Sequence, residues 1–278
     1  MSLPGPSAET APVDPQDLLK LAIRVAEQAA ALLLEGAGKH RTSVGTKSTG
    51  TDMVTEMDRA SEQLIVGELL ASRPADGILA EEGSARDGTS GLRWVIDPLD
   101  GTTNYLYGHP GWGVSIAAET SPGTVMAGVV IDAVHGDVFT AARGHGARRN
   151  GEPIRSSDQA DLSRTLVATG FGYHPDRRRA QAEVLVELLP QIRDIRRMGA
   201  AAVDLCSVAC GRVDAYYEYG LSWWDCAAGS LVAAEAGAVV ASLDDRPLDQ
   251  SGSVVAAAPG IADPLRAQLR ALGAHQVP

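Results

Sequence analysis

A chain of 278 residues with 45 % hydrophobic content is long enough to build one large core or two intimate smaller ones. Its 35 acidic and 24 basic residues leave a formal charge of −11, which speaks against a nucleic-acid partner because binding a phosphate backbone needs a basic surface. No apolar run approaches the roughly 20 residues that span a bilayer, and the three cysteines, Cys206, Cys210 and Cys226, are too few for a disulfide framework, so buried thiols and a cytoplasmic location are expected.

Residues 1–15 are Pro- and Ala-rich, lack the basic start and apolar centre of a secretory signal, and read as a disordered leader. Asp14-Pro15 is a cap and first-turn signal, and Leu18, Leu19, Ala22, Ile23, Ala26, Ala30 and Leu33 repeat at helical spacing to about residue 35. A Gly/Ser/Thr/Lys-rich loop spans 39–51. Thr55 and Asp58 resemble a capping box for a second helix to about residue 72, followed by a short strand over 77–80 that runs into Glu81-Glu82 and then a polar loop over 85–91. Trp94, Val95 and Ile96 read as a buried strand. Segments 114–119, 124–131 and 138–142 are β-prone and separated by turn signals, which predicts an antiparallel meander, and Asn150-Gly151 is a further turn signal. Beyond residue 160 strands at 166–169, 215–218, 239–240 and 253–257 alternate with helices at 180–189, 200–210, 224–235 and 264–272. Two layered subdomains, 16–155 and 156–278, fit this order. The triplet Arg177-Arg178-Arg179 reads as a solvated helix face.

The most informative stretch is Asp97-Pro98-Leu99-Asp100-Gly101-Thr102-Thr103, directly after the buried strand. Two carboxylates bracket a stiff Pro-Leu pair, a glycine frees the backbone, and two threonines add hydroxyls. This pattern suits a hard divalent cation and a phosphate, although an ordinary surface turn can also hold two aspartates. Glu81-Glu82, Glu218 and Asp225 also fall at strand ends or a helix start. Taken singly they read as a solvated turn and a helix cap; taken together they allow several acids to gather at one sheet edge, where like charges would raise one another's pKa values unless a cation is present. There is no serine elbow, no Walker loop, and no histidine placed to serve a nucleophile, which leaves a cation-activated water as the best nucleophile.

Glu81-Glu82, the run Asp97 to Asn104, and Trp224-Asp225 followed by Cys226-Ala227-Ala228-Gly229 resemble the signature of the inositol monophosphatase family over about residues 15–272. The resemblance implies an α+β fold, a layered αβαβα sandwich of the sugar-phosphatase type, and magnesium-dependent, lithium-sensitive hydrolysis of a small-molecule phosphate ester, usually by a homodimer. It implies a metal-binding N-terminal subdomain and a C-terminal one that completes the site. Carried over, Glu81, Asp97 and the Leu99 carbonyl would hold one magnesium ion. Asp97, Asp100 and Asp225 would hold a second, and Glu81 would help a weaker third. Thr102 with Asp58 would orient or deprotonate water, Glu82 would support Glu81, and Gly101, Thr102 and Thr103 would meet the phosphate. Arg196, Gly199, Ala201 and Glu218 would contact the alcohol, Asp100 and Asp225 would also bind substrate, and Lys47 matches a basic residue of a mobile loop. Ala200 stands where many members carry serine or threonine. Relatives on this scaffold take histidinol phosphate, fructose 1,6-bisphosphate, 3′-phosphoadenosine nucleotides or NADP, and some are interaction proteins, so these remain alternatives to inositol monophosphate.

Overall fold

A computed structural model of the chain describes residues 13–37, 44–46, 53–120 and 123–276. Lys47 and most of the leader lie outside them. Helix α1 (Pro15–Ala37) begins where Asp14-Pro15 predicts: the Asp14 carboxylate accepts the Gln16 N–H at 2.9 Å, and Pro15 sits where a missing N–H costs nothing. A short antiparallel pair, β1 (Val44–Thr46) and β2 (Met53–Thr55), leads into α2 (Glu56–Ser72).

Eight strands then form one sheet: β3 (Gly77–Ala80), β4 (Ala85–Arg86), β5 (Arg93–Asp100), β6 (Gly113–Glu119), β7 (Val125–Asp132), β8 (Asp137–Ala142), β9 (Ala147–Arg149) and β10 (Glu152–Pro153). Their order is β10-β9-β8-β7-β6-β5-β3-β4, with β3 parallel to β5 and the rest antiparallel, so the expected meander is present. Asn150 and Gly151 join β9 to β10 with φ of 51° and 84°, the positive pair that a type I′ turn demands. Helix α3 (Thr102–Tyr107) follows β5 directly.

A second sheet holds β11 (Leu166–Thr169), β12 (Asp194–Arg196), β13 (Ala215–Tyr219), β14 (Val239–Ala241) and β15 (Ser253–Ala257) in the order β12-β11-β13-β15-β14. Strand β11 is parallel to β12 and β13, whereas β15 is antiparallel to β13 and β14. Its helices are α4 (Pro175–Leu188), α5 (Ala201–Ala209), α6 (Trp223–Glu235), α7 (Leu248–Ser251) and α8 (Ala262–Ala271). Helix α4 starts five residues before the expected Ala180 because Pro175 takes a first-turn position and Asp176 follows it, a favourable acid at a helix N-terminus.

The layers follow from residue alternation. In β5, Trp94 and Ile96 face a core shared with α1 and α2, while Val95 faces the opposite core, where α5 and α6 lie. In β13, Tyr216 joins that central core, while Ala215 and Tyr217 face a third core with α4 and α8. The result is helix, sheet, helix, sheet, helix. Helices α5 and α6 pack closely because Gly229 has no Cβ; one placed there would lie 2.8 Å from Leu205 Cβ. Cys206 and Cys226 are buried free thiols. Among the described residues no helix is long and apolar enough to cross a membrane.

Candidate active site

Strand β5 supplies the first part of the site. After Ile96 its pairing with β6 becomes irregular between Asp97 and Asp100, where Pro98 has no N–H to give the ladder. Asp97 Oδ1 accepts the Leu99 N–H at 3.0 Å, a local turn of the kind Asp favours. Gly101 then adopts φ 89°, and a Cβ there would stand 2.8 Å from the Gly111 carbonyl oxygen. The position therefore needs glycine for both conformation and space.

Helix α2 braces this turn from behind. Asp58, Ser61 and Glu62 share one face at spacings of three and four and are all buried. The Ser61 hydroxyl donates to the Pro98 carbonyl at 2.9 Å. Glu62 accepts the Glu82 N–H at 2.7 Å and the Ser84 N–H at 3.0 Å, which fixes the Glu81-Glu82 turn. Thr102 Oγ1 lies 3.4 Å from Asp58 Oδ2 and 3.1 Å from the Leu99 carbonyl oxygen; its single proton serves one acceptor at a time. Glu82 stands 3.9 Å from the Arg59 guanidinium.

The second sheet and its helices close the site. Asp100 accepts the Ala201 N–H at 3.1 Å and the Ala202 N–H at 2.7 Å, capping α5 from across the molecule where Ala200, at the cap position, makes no side-chain hydrogen bond. Asp225 accepts the Ser222 N–H at 2.6 Å, so it serves α6 as a capping residue while also facing the cavity. Glu218 accepts from the Tyr216 hydroxyl at 2.7 Å and lies across Gly170, where a Cβ would meet it. Asn104 donates to the carbonyls of Gly111 (2.6 Å) and Met198 (2.7 Å), joining α3 to the segment before Gly199.

These elements enclose a cavity of about 250 Å³. It is lined by Glu81, Asp97, Leu99, Asp100, Gly101, Thr102 and Asp225 on one side and by Gly170, Phe171, Gly199, Ala201 and Glu218 among those opposite. Asp58 and Glu82 stand behind the lining. Thr103 faces an adjoining depression with Tyr107 and Tyr173. Two arginine assignments need correction. The Arg196 guanidinium turns onto Asp194 at 2.8 Å, and it is Arg197 that lines the cavity. Of the triplet expected to be a solvated face, Arg178 and Arg179 are exposed but Arg177 turns into the cavity wall, because α4 begins early enough to place it in the first turn. Ser61 and Glu62 went unread in the sequence, although their places at +3 and +4 from Asp58 could have found them; Asn104 closes the motif run without a role read for it, and Arg177 and Arg197 carry no such signal.

Burial pushes Asp97 and Asp225 well above the usual carboxylate range, and repulsion from Glu81 and Asp100 adds to it. Asp100 is pushed up to about 7, burial outweighing its two amide hydrogen bonds. Burial also raises Glu218, against the pull of the Tyr216 hydroxyl and Arg197. Among the described residues no three His, Cys, Asp or Glu side chains stand close enough to enclose a metal ion as they are. The donor set nonetheless fits hard cations in its chemistry: only carboxylates and a carbonyl, densely negative, and costly to keep charged in a buried cavity without positive compensation.

The inositol monophosphatase family model matches residues 14–273. The chain belongs to the inositol monophosphatase family. An inositol-1-monophosphatase of Mycobacterium leprae is 45 % identical, covering 92 % of this chain and 94 % of its own. A Pasteurella multocida protein named Nus factor SuhB is 41 % identical, covering 88 % and 92 %. The crystal structure of extragenic suppressor protein suhB from Bartonella henselae matches with a TM-score of 0.86 at 35 % identity, covering 91 % of this chain and 98 % of that one. Membership of the inositol monophosphatase family supports phosphatase activity as the broad function.

Proposed function

We propose that this chain is a magnesium-dependent phosphomonoester hydrolase that converts inositol monophosphate and water to myo-inositol and phosphate. The observation that carries this reading is one cavity with Glu81, Asp97, Asp100, Asp225, the Leu99 carbonyl and Thr102 facing Glu218. Glu81, Asp97 and Leu99 would hold one ion, Asp97, Asp100 and Asp225 a second, and Glu81 a weaker third. When bound, such ions supply positive charge at the attacking and leaving oxygens of phosphoryl transfer. The Thr102 hydroxyl orients the incoming water and relays a proton towards Asp58. Glu82, with Arg59 beside it, steadies Glu81. Backbone N–H groups of Gly101 and Thr102 donate to phosphate, whereas Thr103, which faces the adjoining depression, is left without that role, and Glu218 accepts hydrogen bonds from polyol hydroxyls beside Gly199 and Ala201. A homodimer in the cytoplasm belongs to the same proposal.

The test is a substrate panel on the purified full chain with magnesium: inositol 1-phosphate, histidinol phosphate, adenosine 3′,5′-bisphosphate and NADP. Inositol 1-phosphate should lead in kcat/KM, with activity lost on chelation, restored by magnesium and lowered by lithium. A lead of an order of magnitude for histidinol phosphate or a nucleotide removes the inositol assignment and keeps the hydrolase. Inertness towards every ester favours the second reading, a regulatory interaction protein, for which the similarity to relatives named Nus factor SuhB is the supporting observation.

A further inference from the structure

Helix α6 carries Asp225, yet its own capping does not fix where the helix sits. Ser222 and Asp225 satisfy one another within the first turn, so the pair travels with the helix if it rotates or slides. The hold on the start of α6 comes from its other side. Trp223 and Asp225 are two residues apart, about 200° around a helix, so one faces away from the cavity while the other faces into it.

The Trp223 ring is buried in the central core, and its indole N–H donates to Glu119 Oε2 at 3.0 Å. Glu119 ends β6 and is 1 % exposed. It stands directly opposite Arg93 of β5 in the ladder, and the Arg93 guanidinium pairs with Oε1, its Nε at 2.7 Å. Oε2 also accepts the Gly123 N–H at 3.2 Å. Both oxygens are thus met by donors, as a buried carboxylate requires. Arg93 opens the strand that ends in Asp97–Asp100, so one carboxylate ties α6 to the element that carries the other two aspartates of the cavity.

Two further contacts seat α6, and neither sets its rotation. A Cβ on Gly128 of β7 would stand 3.0 Å from Ala228 Cα, which brings the helix close to the sheet but is a smooth, undirected contact. The Ser115 hydroxyl lies 3.5 Å from the Trp224 carbonyl oxygen, at the weak limit of a hydrogen bond. The indole N–H on Glu119 is short and directional.

We propose that Glu119 and Trp223 are positioning residues whose hydrogen bond sets the rotation of α6, and with it the reach of Asp225 towards the cation it would share with Asp97 and Asp100. The proposal rests on the phosphomonoesterase reading and adds two residues that do not line the cavity. Its effect is selective: the ion assigned to Glu81, Asp97 and Leu99 takes no ligand from α6 and does not feel the change.

The experiment titrates manganese into the metal-stripped full chain and reads the free ion by electron paramagnetic resonance. The proteins are the wild type, Trp223→Phe, Glu119→Gln, Asp225→Asn and Leu269→Ala, a truncation in the third core, to which α6 contributes no residue. Trp223→Phe keeps a ring and loses the N–H; it should weaken one manganese ion by about tenfold and leave another at wild-type affinity. Glu119→Gln keeps one acceptor oxygen and should weaken the same ion by about threefold. Leu269→Ala should shift neither. In hydrolysis of inositol 1-phosphate, the magnesium needed by Trp223→Phe for half-maximal rate should rise by the same factor, with kcat at saturating magnesium within about twofold of the wild type. Asp225→Asn, which removes the ligand itself, should not recover. Wild-type manganese affinity in a folded Trp223→Phe overturns the proposal, and so does equal weakening of every ion or a matching shift in Leu269→Ala. If Trp223→Phe does not fold, Glu119→Gln decides by the same criteria. A wild type that binds no manganese and hydrolyses neither inositol 1-phosphate nor an aryl phosphate fails the hydrolase reading; one that does both while the variants match it fails this inference alone.

Discussion

The acidic end of the cavity and the wall opposite are built by different means. At the acidic end the three aspartates are tied to main-chain N–H groups: Asp97 to Leu99, Asp100 to Ala201 and Ala202, Asp225 to Ser222. Behind it, Glu62 holds Glu82 and Ser84 in the same way. Backbone donors cannot be mutated away singly, so this end keeps its geometry through most changes of sequence. The opposite wall is made of long side chains laid over glycines: Glu218 over Gly170, Arg177 over Gly172 and Gly220, Arg197 over Gly199. A single added methyl group there re-aims a charged group. The first construction suits chemistry that must not vary, and the second suits selectivity that can.

The largest effect should come from the acidic end. Asp97→Asn should lower kcat by about a thousandfold or more, since it removes one of the charges that would hold the cations. The same change should leave the metal-free protein at least as heat-stable as the wild type at neutral pH, because burial and then repulsion from Glu81 and Asp100 disfavour the charged form of Asp97. A folded variant with near wild-type turnover, or one sharply destabilised without metal, would break the contrast between the two ends.

The metal-free protein should also lose stability as pH rises. Asp100 keeps its proton up to about 7 when folded and gives it up near 3.8 when unfolded, so the unfolded state is increasingly favoured between those values and the loss levels off above them. Asp97 and Asp225 shift in the same direction and extend the window upward. Melting temperature across this range should fall without cations and stay flatter with saturating magnesium, which binds the folded state. A rise with pH in chelator would contradict the electrostatic account.

Thr102 should come next. Thr102→Ala should cut kcat by about a hundredfold with little change in KM, and Thr102→Ser should recover most of it by keeping the hydroxyl beside Asp58. Equal, negligible losses in both would remove the hydroxyl from the mechanism. Glu218→Gln should act mainly on choice, narrowing the preference for inositol 1-phosphate over an aryl phosphate by about tenfold. The smallest effect should be that of Arg196→Ala, since this exposed arginine is occupied with Asp194; a KM rise comparable to that of Glu218→Gln would return Arg196 to the site.

The sequence was most legible where structure is local. The strand through Trp94–Ile96, the meander, the Asn150-Gly151 turn and the start of α1 each rest on neighbours in the chain and appear where they were expected, although that strand runs on past Pro98 to Asp100. Strands β4, β9, β10 and β12 are two or three residues long, too short for any periodicity to register. The wall was illegible for another reason. Whether Arg196 or Arg197 enters the cavity depends on which face of β12 and its extension packs inward, and Arg177 enters only because α4 starts at Pro175. Three consecutive arginines look alike until the helix phase is known. The glycines that seat them are ordinary turn residues in sequence and become slots only when another segment crosses them.

The hydrogen bonds from Ala201 and Ala202 to Asp100 have a consequence for synthesis. The partners are 101 and 102 residues apart, so a nascent chain emerging from the ribosome exposes the aspartate long before the amides that receive it exist. Until α5 has been made and docked, Asp100 lacks both of these donors and the acidic end has no opposite wall. Chains truncated before residue 201 should therefore be catalytically silent, which release of phosphate by stalled or shortened products would contradict. A half-made protein of this design carries Glu81, Asp97 and Asp100 but neither Glu218 nor Asp225, and cannot act on the cell's phosphate esters while still tethered to its translation machinery.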